Sequence, residues 1–302
     1  MNDFDELKHH PNAINFLAEY LNQGNLVLFL GSGTSMDFGL PNWLTLVNSL
    51  RAEVSLPVLN GELNADELQV AAEEVIAKIN NEKLIELLER HLYTNVSQLT
   101  MTEVFQNHLL VAISALLMGS KRGHVTRVVT LNYDSMLEWF LSLFGFVVKT
   151  IYKLPALEGS EDVRIYHPHG FVPRPDSGLI SSDFIILGIN SANKRLGTQG
   201  DPWFELTRHI LDSGVCLFLG MSVSTLADRA LEPLFSTCGE KCAHIRPLGI
   251  WILKKELTSA IELRFSQNNI IPISITKNQD ISEFLLKICE KAAKHLSKAD
   301  LK

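Results

Sequence analysis

The 302-residue chain has few cysteines and no long run of apolar residues. Its four cysteines are too few and too scattered for a disulfide framework in a chain of this length, so we expect reduced thiols. No apolar run reaches the roughly 20 residues of a membrane-spanning helix. The first residues are acidic and lack the basic-then-apolar order of a secretory signal. The sequence therefore predicts a cytoplasmic protein that does not bind membranes.

An excess of positive charge is also missing. The chain has 27 Lys and Arg residues against 34 Asp and Glu residues, which gives a formal net charge of −7. Because nucleic-acid-binding faces are rich in Lys and Arg, this balance argues against a broad surface of that kind. We expect no direct, sequence-specific binding of nucleic acid.

One group of potential metal ligands is close in sequence, namely Cys238, Cys242 and His244. A structural zinc site of this class usually contains a second pair of cysteines downstream, and the chain has none. We therefore predict unliganded cysteines and no bound metal.

The chain does contain a succession of short apolar runs that are separated by stretches with helical spacing. This order is typical of an α/β fold with a Rossmann-like, doubly wound, mainly parallel sheet. Eight runs are predicted to be strands, at residues 26–30, 127–131, 146–151, 163–167, 184–187, 215–219, 248–253 and 271–275.

The interval between the first two predicted strands is much longer than one crossover helix. Apolar spacing predicts helices there at residues 42–54, 65–79, 81–92 and 101–117. We predict a sheet domain at residues 1–55 and 123–302, with an inserted helical module at residues 56–122. The module could be a packing lid, a wall of a cleft or an oligomer contact. Residues 171–178 are predicted to form a loop, and residues 281–298 an amphipathic helix.

The first predicted strand ends abruptly in two glycines and three hydroxyl residues: Gly31, Ser32, Gly33, Thr34 and Ser35. Small residues beyond a buried strand let phosphates approach the backbone closely. A helix beginning near Thr34 or Ser35 would add free N–H groups and a positive dipole end. The pattern departs from the dinucleotide-binding fingerprint, because Asp37 replaces its third glycine, and it lacks the ending of a P-loop. A bend that merely needs glycine is the simpler alternative.

Polar residues also follow three other predicted strands. Asn132 and Asp134 follow the second strand, His169 the fourth, and Ser222 the sixth. Because the carboxyl ends of parallel strands share one edge, these groups could converge on whatever the first turn binds. Each has a simpler explanation, since Asn132, Asp134 and Ser222 could cap turns or helices and His169 could be a turn residue. His167 is predicted to be a strand or supporting residue.

The order of these motifs resembles the sirtuin-like family of NAD-binding proteins. Residues 31–35 are similar to the family's Gly-Ala-Gly-x-Ser turn, and residues 39–43 to the Gly-Ile-Pro segment of its cofactor-binding loop. Residues 130–134 resemble Thr-Gln-Asn-x-Asp, residues 169–170 His-Gly, and residues 220–222 Gly-Thr-Ser. The resemblance spans roughly residues 25–225.

The sequence also departs from the protein-deacylating sirtuins. Their zinc ribbon is missing, because no cysteine follows the His-Gly motif before Cys216. Trp43 replaces the usual Phe-Arg, and Leu131 replaces the Gln of Thr-Gln-Asn. The pattern is similar instead to bacterial sirtuin-like domains that hydrolyse NAD+ in anti-phage defence.

This resemblance implies an NAD+ hydrolase that releases nicotinamide and ADP-ribose. Asn132 would orient the nicotinamide ribose or the attacking water, and His169 would act as general base. Asp134 would hold the nicotinamide, and Ser222 the ribose-phosphate region. The implied NAD+-binding residues are Gly31, Ser32, Gly33, Thr34, Ser35, Trp43, Asp134, Gly220 and Ser222.

The resemblance further implies control by assembly, either as a homo-oligomer or with a partner such as a hexameric DNA-translocating ATPase of the HerA type. Two other functions remain open at this point. One is an NAD-dependent protein deacylase that uses the same Asn132 and His169. The other is a non-catalytic sensor that binds NAD or ADP-ribose.

Overall fold

The structure is a computed structural model that describes residues 4–61, 63–96, 100–119, 123–157, 159–175 and 177–299. The other residues of the predicted ranges lie outside the described part. Seven strands form one sheet: β1 (Leu26–Leu30), β2 (Arg127–Thr130), β3 (Val148–Ile151), β4 (Val163–Tyr166), β5 (Val215–Leu219), β6 (Gly249–Leu253) and β7 (Ile270–Ser274). Their order is β3-β4-β2-β1-β5-β6-β7, and every pair is parallel. The predicted α/β fold with a doubly wound sheet is confirmed.

The α-helices of the described residues surround this sheet. They are α1 (His10–Asn22), α2 (Trp43–Glu53), α3 (Ala65–Ile76), α4 (Asn81–Tyr93), α5 (Met101–Phe105), α6 (His108–Leu117), α7 (Met136–Leu143), α8 (Ile189–Leu196), α9 (Pro202–Asp212), α10 (Glu232–Cys242), α11 (Ser259–Gln267) and α12 (Asn278–Ala299). Within the described residues, none of them combines the length and apolar character needed to cross a membrane.

The side chains of β1 alternate between two hydrophobic cores, as the two-residue period of a strand requires. Leu28 and Leu30 face a core that is shared with α1, α6 and α12. Val27 and Phe29 face a second core that is formed with α9, α10 and α11. The strand is therefore buried on both faces, which explains why its sequence is continuously apolar.

The predicted helices between β1 and β2 are present, with one division. Residues 101–117 form two helices, because the Asn107 side chain accepts a hydrogen bond from Leu110 N at 2.9 Å and starts α6. Buried residues of α2, α3, α4 and α6 belong to the same core as α1 and α12. The boundaries of a separate module at residues 56–122 stay a prediction.

One predicted strand is wrong. Residues 184–187 join no sheet, and Ile186 N donates to His169 O at 2.8 Å instead of to a neighbouring strand. Ile185, Ile186 and Leu187 are buried: Ile185 packs against Gly170 in the loop that follows β4, and Ile186 and Leu187 line a cleft. A short apolar run indicates burial, and burial alone does not distinguish a strand from a packed loop.

No α-helix of the described residues begins near Thr34 or Ser35, so the turn lacks the N-terminal N–H groups that such a helix would add. Two short 3-10 turns occupy Ser32–Thr34 and Met36–Phe38, and α2 begins only at Trp43. Gly33 N, Thr34 N and Ser35 N donate to the carbonyls of Gly220, Gly31 and Ser32. The N–H groups of this turn are thus used mainly by the protein itself. Gly39, with φ of +83°, ends the second 3-10 turn.

The turn after β1 packs directly against the loop after β5. These two strands are neighbours at the centre of the sheet, where the strand order reverses and α/β proteins bind ligands. Gly220 has a φ of +71°, and a Cβ atom there would lie 2.7 Å from Thr34 N and 2.8 Å from Gly31 O. Glycine is therefore required at residue 220 both by its backbone conformation and by the close contact of the two loops.

Two alanine substitutions separate these requirements. Gly24 has a similar φ of +68° but no atom within 4 Å of its added Cβ. We expect Gly24→Ala to lower the free energy of unfolding by about 1–2 kcal/mol, the cost of a left-handed backbone. Gly220→Ala should lose a further ~1–3 kcal/mol through overpacking. Urea denaturation measures both, and equal losses would contradict the role of the loop contact.

Candidate functional site

A cleft of about 520 Å³ opens at the carboxyl edge of the sheet, beside the contact between the loops after β1 and β5. The loops after β2 and β4 and residues of α3 also line it. Eight of the predicted site residues lie in its wall: Gly31, Ser32, Gly33, Trp43, Asn132, His169, Gly220 and Ser222.

Three predicted site residues, Thr34, Ser35 and Asp134, are buried and do not line this cleft. Asp134 Oδ1 accepts hydrogen bonds from Ser35 Oγ at 3.1 Å and from Met136 N at 3.0 Å. Burial raises the pKa of Asp134 to about 6. The carboxyl group therefore connects the turn after β1 to the start of α7. Its predicted contact with nicotinamide stays a prediction.

Asn132 lines the cleft and also holds the turn after β1. Its Nδ2 atom donates to Gly31 O at 3.2 Å and lies 3.4 Å from Thr34 Oγ1 and 3.3 Å from Ser35 Oγ. One side chain thus fixes the end of β2 to the end of β1. A change at Asn132 will disturb the turn as well as any chemistry in the cleft.

His167 and Glu138 form a buried pair beneath Asn132. His167 Nε2 lies 2.6 Å from Glu138 Oε1, and the side chains are 0% and 6% exposed. His167 Nδ1 lies 3.0 Å from Asn132 O. Because a carbonyl oxygen only accepts, Nδ1 carries a proton. The contact with Glu138 then contains one further shared proton, and the pair fixes the main chain at Asn132. This agrees with the supporting role predicted for His167.

His169 is the one imidazole of the described residues that lines the cleft. Its Nε2 atom is buried and has no hydrogen-bond partner in the described part of the chain, whereas the ring bonds to the backbone of Leu131. Burial and the nearby Arg195 lower the pKa of His169 to about 4. The imidazole is therefore neutral near pH 7, with a lone pair available to accept a proton.

Aromatic rings and one guanidinium group surround His169. The rings of Trp43 and Tyr133 are 6.3 Å apart, and those of Tyr133 and His169 are 6.4 Å apart. Arg195 Nη1 donates to Pro168 O at 2.9 Å, and its guanidinium group lies 4.9 Å from the ring centre of Phe184. Arg195 thus fixes the backbone next to His169 and adds positive charge there.

Several of these residues were not predicted from the sequence. Glu138 could have been predicted as a site residue, because it lies in α7 and follows Asp134 by four residues. Arg195 and Gln69 lie in helices and have no local motif; only the tertiary structure brings Gln69 to the cleft and Arg195 to the backbone beside His169. Asp228 follows Ser222 closely enough to have been a candidate. No group of three or more His, Cys, Asp or Glu residues in the described ranges could hold a metal ion.

Residues 126–273 match the family model of the SIR2-like domain. This part of the chain is therefore similar to a sirtuin-like domain. The matched region runs from just before β2 to within β7 and includes Asn132, His169 and Ser222, whereas the turn after β1 precedes it. A comparison with curated proteins finds no match to the chain.

SIR2-like domains use NAD+, and members of the family are NAD-dependent enzymes. The cleft has two features that suit such a ligand. It lies at the reversal of the strand order, and it contains buried acceptor atoms without partners at His169 and at Gln69.

Two substitutions test whether His167 fixes the loop at Asn132. The amide nitrogen of Asn can replace Nδ1, whereas that of Gln replaces Nε2. We therefore expect His167→Asn to retain slow amide hydrogen exchange at residues 131–134, and His167→Gln to speed it at least several-fold, because the bond to Asn132 O is lost. Hydrogen exchange read by mass spectrometry measures this. Equal exchange in the two variants would contradict the assignment.

Proposed function

We propose that the chain hydrolyses NAD+ to nicotinamide and ADP-ribose, with His169 as general base. The observation that carries this proposal is the neutral imidazole of His169, whose Nε2 atom is buried without a partner in the wall of a cleft beside Asn132. An unpaired buried acceptor costs free energy, so a group that brings it a proton is favoured at this position.

The chemistry of NAD+ suits such a weak base. Nicotinamide leaves with the electrons of the bond between its ring nitrogen and ribose, and the ribose carbon passes through an oxocarbenium-like state. Water then forms a new bond to that carbon and becomes a strongly acidic oxonium. His169 Nε2 takes one proton from it, and the products are nicotinamide, ADP-ribose and a proton. A base whose pKa is about 4 is sufficient for an acid of this strength.

Positioning accounts for the rest of the mechanism. Asn132 lies at the junction of the turn after β1 with the cleft, where its amide can orient the ribose or the water. Trp43 and Tyr133 give the His169 side of the cleft apolar walls, which suit a planar nicotinamide ring. The turn at residues 31–33 and Ser222 line the part that would contain the phosphates.

The helix α3 bonds to the loop after β5 at one end and to the start of α8 at the other, and so joins two walls of the cleft. This favours a small-molecule substrate over a protein. At one end, Asp66 Oδ2 lies 2.9 Å from Arg229 Nε, and Asp66 Oδ1 accepts a hydrogen bond from Arg229 N at 3.2 Å. At the other end, Glu73 accepts from Asn190 N at 3.4 Å. The cleft volume lies in the range of small-molecule sites.

The biological role that we propose is NAD+ depletion during anti-phage defence. A hydrolase of this kind would drain its own cell unless its activity were controlled, so we propose control by homo-oligomerisation or by a partner such as a HerA-type hexameric ATPase. Light scattering together with activity tests this control. A strictly monomeric and fully active protein would count against it.

Substitution of His169 or Asn132 tests the reaction. We expect His169→Ala and Asn132→Ala to lower NAD+ turnover at least 100-fold, the usual contribution of a general base or a positioning group. His244→Ala is the matched control, because His244 is exposed and does not line the cleft, and it should keep parental activity. The products of NAD+ incubation are identified by mass, with and without candidate partners.

The same experiment separates the alternatives. Parental turnover by His169→Ala protein would reject the assignment of the base. Tight NAD+ binding without nicotinamide release under any condition would favour a sensor, and NAD-dependent deacylation of an acyl-lysine peptide would favour a deacylase.

The pH dependence gives a second test. Because the base must be unprotonated and its pKa is about 4, we expect no loss of kcat/KM from His169 protonation between pH 8 and pH 6, and an acid limb nearer pH 4. An inflection near pH 6 would belong to Asp134, and Asp134→Asn should remove it. An acid limb at pH 6.5 that persists in Asp134→Asn would contradict the buried, neutral imidazole.

A further inference from the structure

Gln69 of α3 and Asp228 of the loop after β5 form a buried pair in the wall of the cleft. Gln69 Nε2 donates to Asp228 Oδ2 at 3.0 Å, and the two residues are 6% and 5% exposed. Gln69 Oε1 is buried and has no hydrogen-bond partner among the described residues. The pair therefore leaves one acceptor atom, Gln69 Oε1, without a hydrogen bond in the wall of the cleft.

The contacts of Asp228 fix the orientation of the Gln69 amide. Asp228 Oδ1 already accepts a hydrogen bond from Ala230 N at 2.8 Å. Its other oxygen accepts from Gln69 Nε2 at 3.0 Å, so the amide turns its NH2 group to Asp228. The oxygen of Gln69 is then left for another partner, which must be a hydrogen-bond donor.

We propose that Gln69 Oε1 accepts a hydrogen bond from an exocyclic amino group of the bound dinucleotide, and so selects for that group. This inference rests on the proposal that the cleft binds NAD+. NAD+ carries such a group on each base: the amine of adenine and the amide NH2 of nicotinamide.

The position of the pair favours adenine. His169 follows β4, and Asp228 follows β5; β2 and β1 lie between these strands. Neighbouring strands are about 4.8 Å apart, so the two ends of the cleft are separated by roughly 14 Å. With nicotinamide at His169, the base near Gln69, Ser224 and Thr225 is adenine.

Binding of two NAD+ analogues distinguishes the sources of the amino group. Nicotinamide hypoxanthine dinucleotide has an oxygen in place of the adenine amine, and 3-acetylpyridine adenine dinucleotide has a methyl group in place of the amide NH2. Calorimetry with His169→Ala protein measures affinity without turnover. We expect the hypoxanthine analogue to bind on the order of ten-fold more weakly than NAD+, because two acceptors would face each other. A loss confined to the acetylpyridine analogue would place nicotinamide at Gln69 and still support amino-group recognition.

Asp228→Asn in the same background provides a polarity test. The Asn side-chain oxygen still accepts from Ala230 N, and its NH2 group then donates to Gln69. The Gln69 amide must turn over and present its own NH2 group to the ligand. We expect the preference between adenine and hypoxanthine to reverse. Asp66→Asn is the matched control, because Asp66 connects α3 to Arg229 without lining the cleft, and it should preserve the original preference.

Gln69→Leu keeps the test decisive if Asp228→Asn does not fold. This variant should bind NAD+ and the analogues with equal affinity. Equal affinities of the three dinucleotides for the His169→Ala background, or a preference that survives both Gln69→Leu and Asp228→Asn, would overturn the inference. Discrimination without NAD+ hydrolysis by the parental protein would reject only the proposed function. Hydrolysis without discrimination would reject only this inference, and no binding of any dinucleotide would reject both.

Discussion

The whole site depends on the close contact between the turn after β1 and the loop after β5. Gly31 and Gly33 approach Gly220 so closely that a Cβ atom on any of them would lie less than 3 Å from an atom of the opposite loop or its neighbour Met221. Gly33 N bonds directly to Gly220 O at 2.9 Å. The glycines therefore serve first to join two central strands, and the cleft forms beside the junction. Packing between the two loops is thus enough to require small residues in this turn, whether or not a ligand binds there.

A network of buried polar groups supports this junction from below. Asn132 bonds to the turn through its side chain and to His167 through its carbonyl oxygen, and Asp134 bonds to Ser35. Tyr93 extends the network, because its hydroxyl accepts from Ser135 N and donates to Val172 O. Most of these partners are satisfied, whereas His169 Nε2 in the cleft wall is not. The contrast separates groups that hold the site from a buried acceptor that has no partner among the described residues.

Much of the fold was predictable from the sequence, because buried parallel strands are continuously apolar and their ends are polar. The run at residues 26–30 and the run at residues 215–219 have the predicted bounds. Residues 184–187 were wrongly predicted to be a strand, because a packed loop needs the same apolar residues. The polar strand ends predicted which residues share an edge, but not that Asp134 turns away from the cleft toward Ser35. Gln69 and Arg195 could not be predicted, because only tertiary packing of their helices brings them to the site.

The packing of α12 has a consequence for the order in which the protein is synthesised. This helix covers one face of the sheet together with α1 and α6, whose residues precede it by more than 150 positions. All the strand ends that form the cleft leave the ribosome before it does. Until residues 278–299 have emerged, the core behind the turn after β1 stays open to solvent, and contacts of such long sequence separation form late. The core behind the turn after β1 can therefore close only after every strand of the sheet has been synthesised.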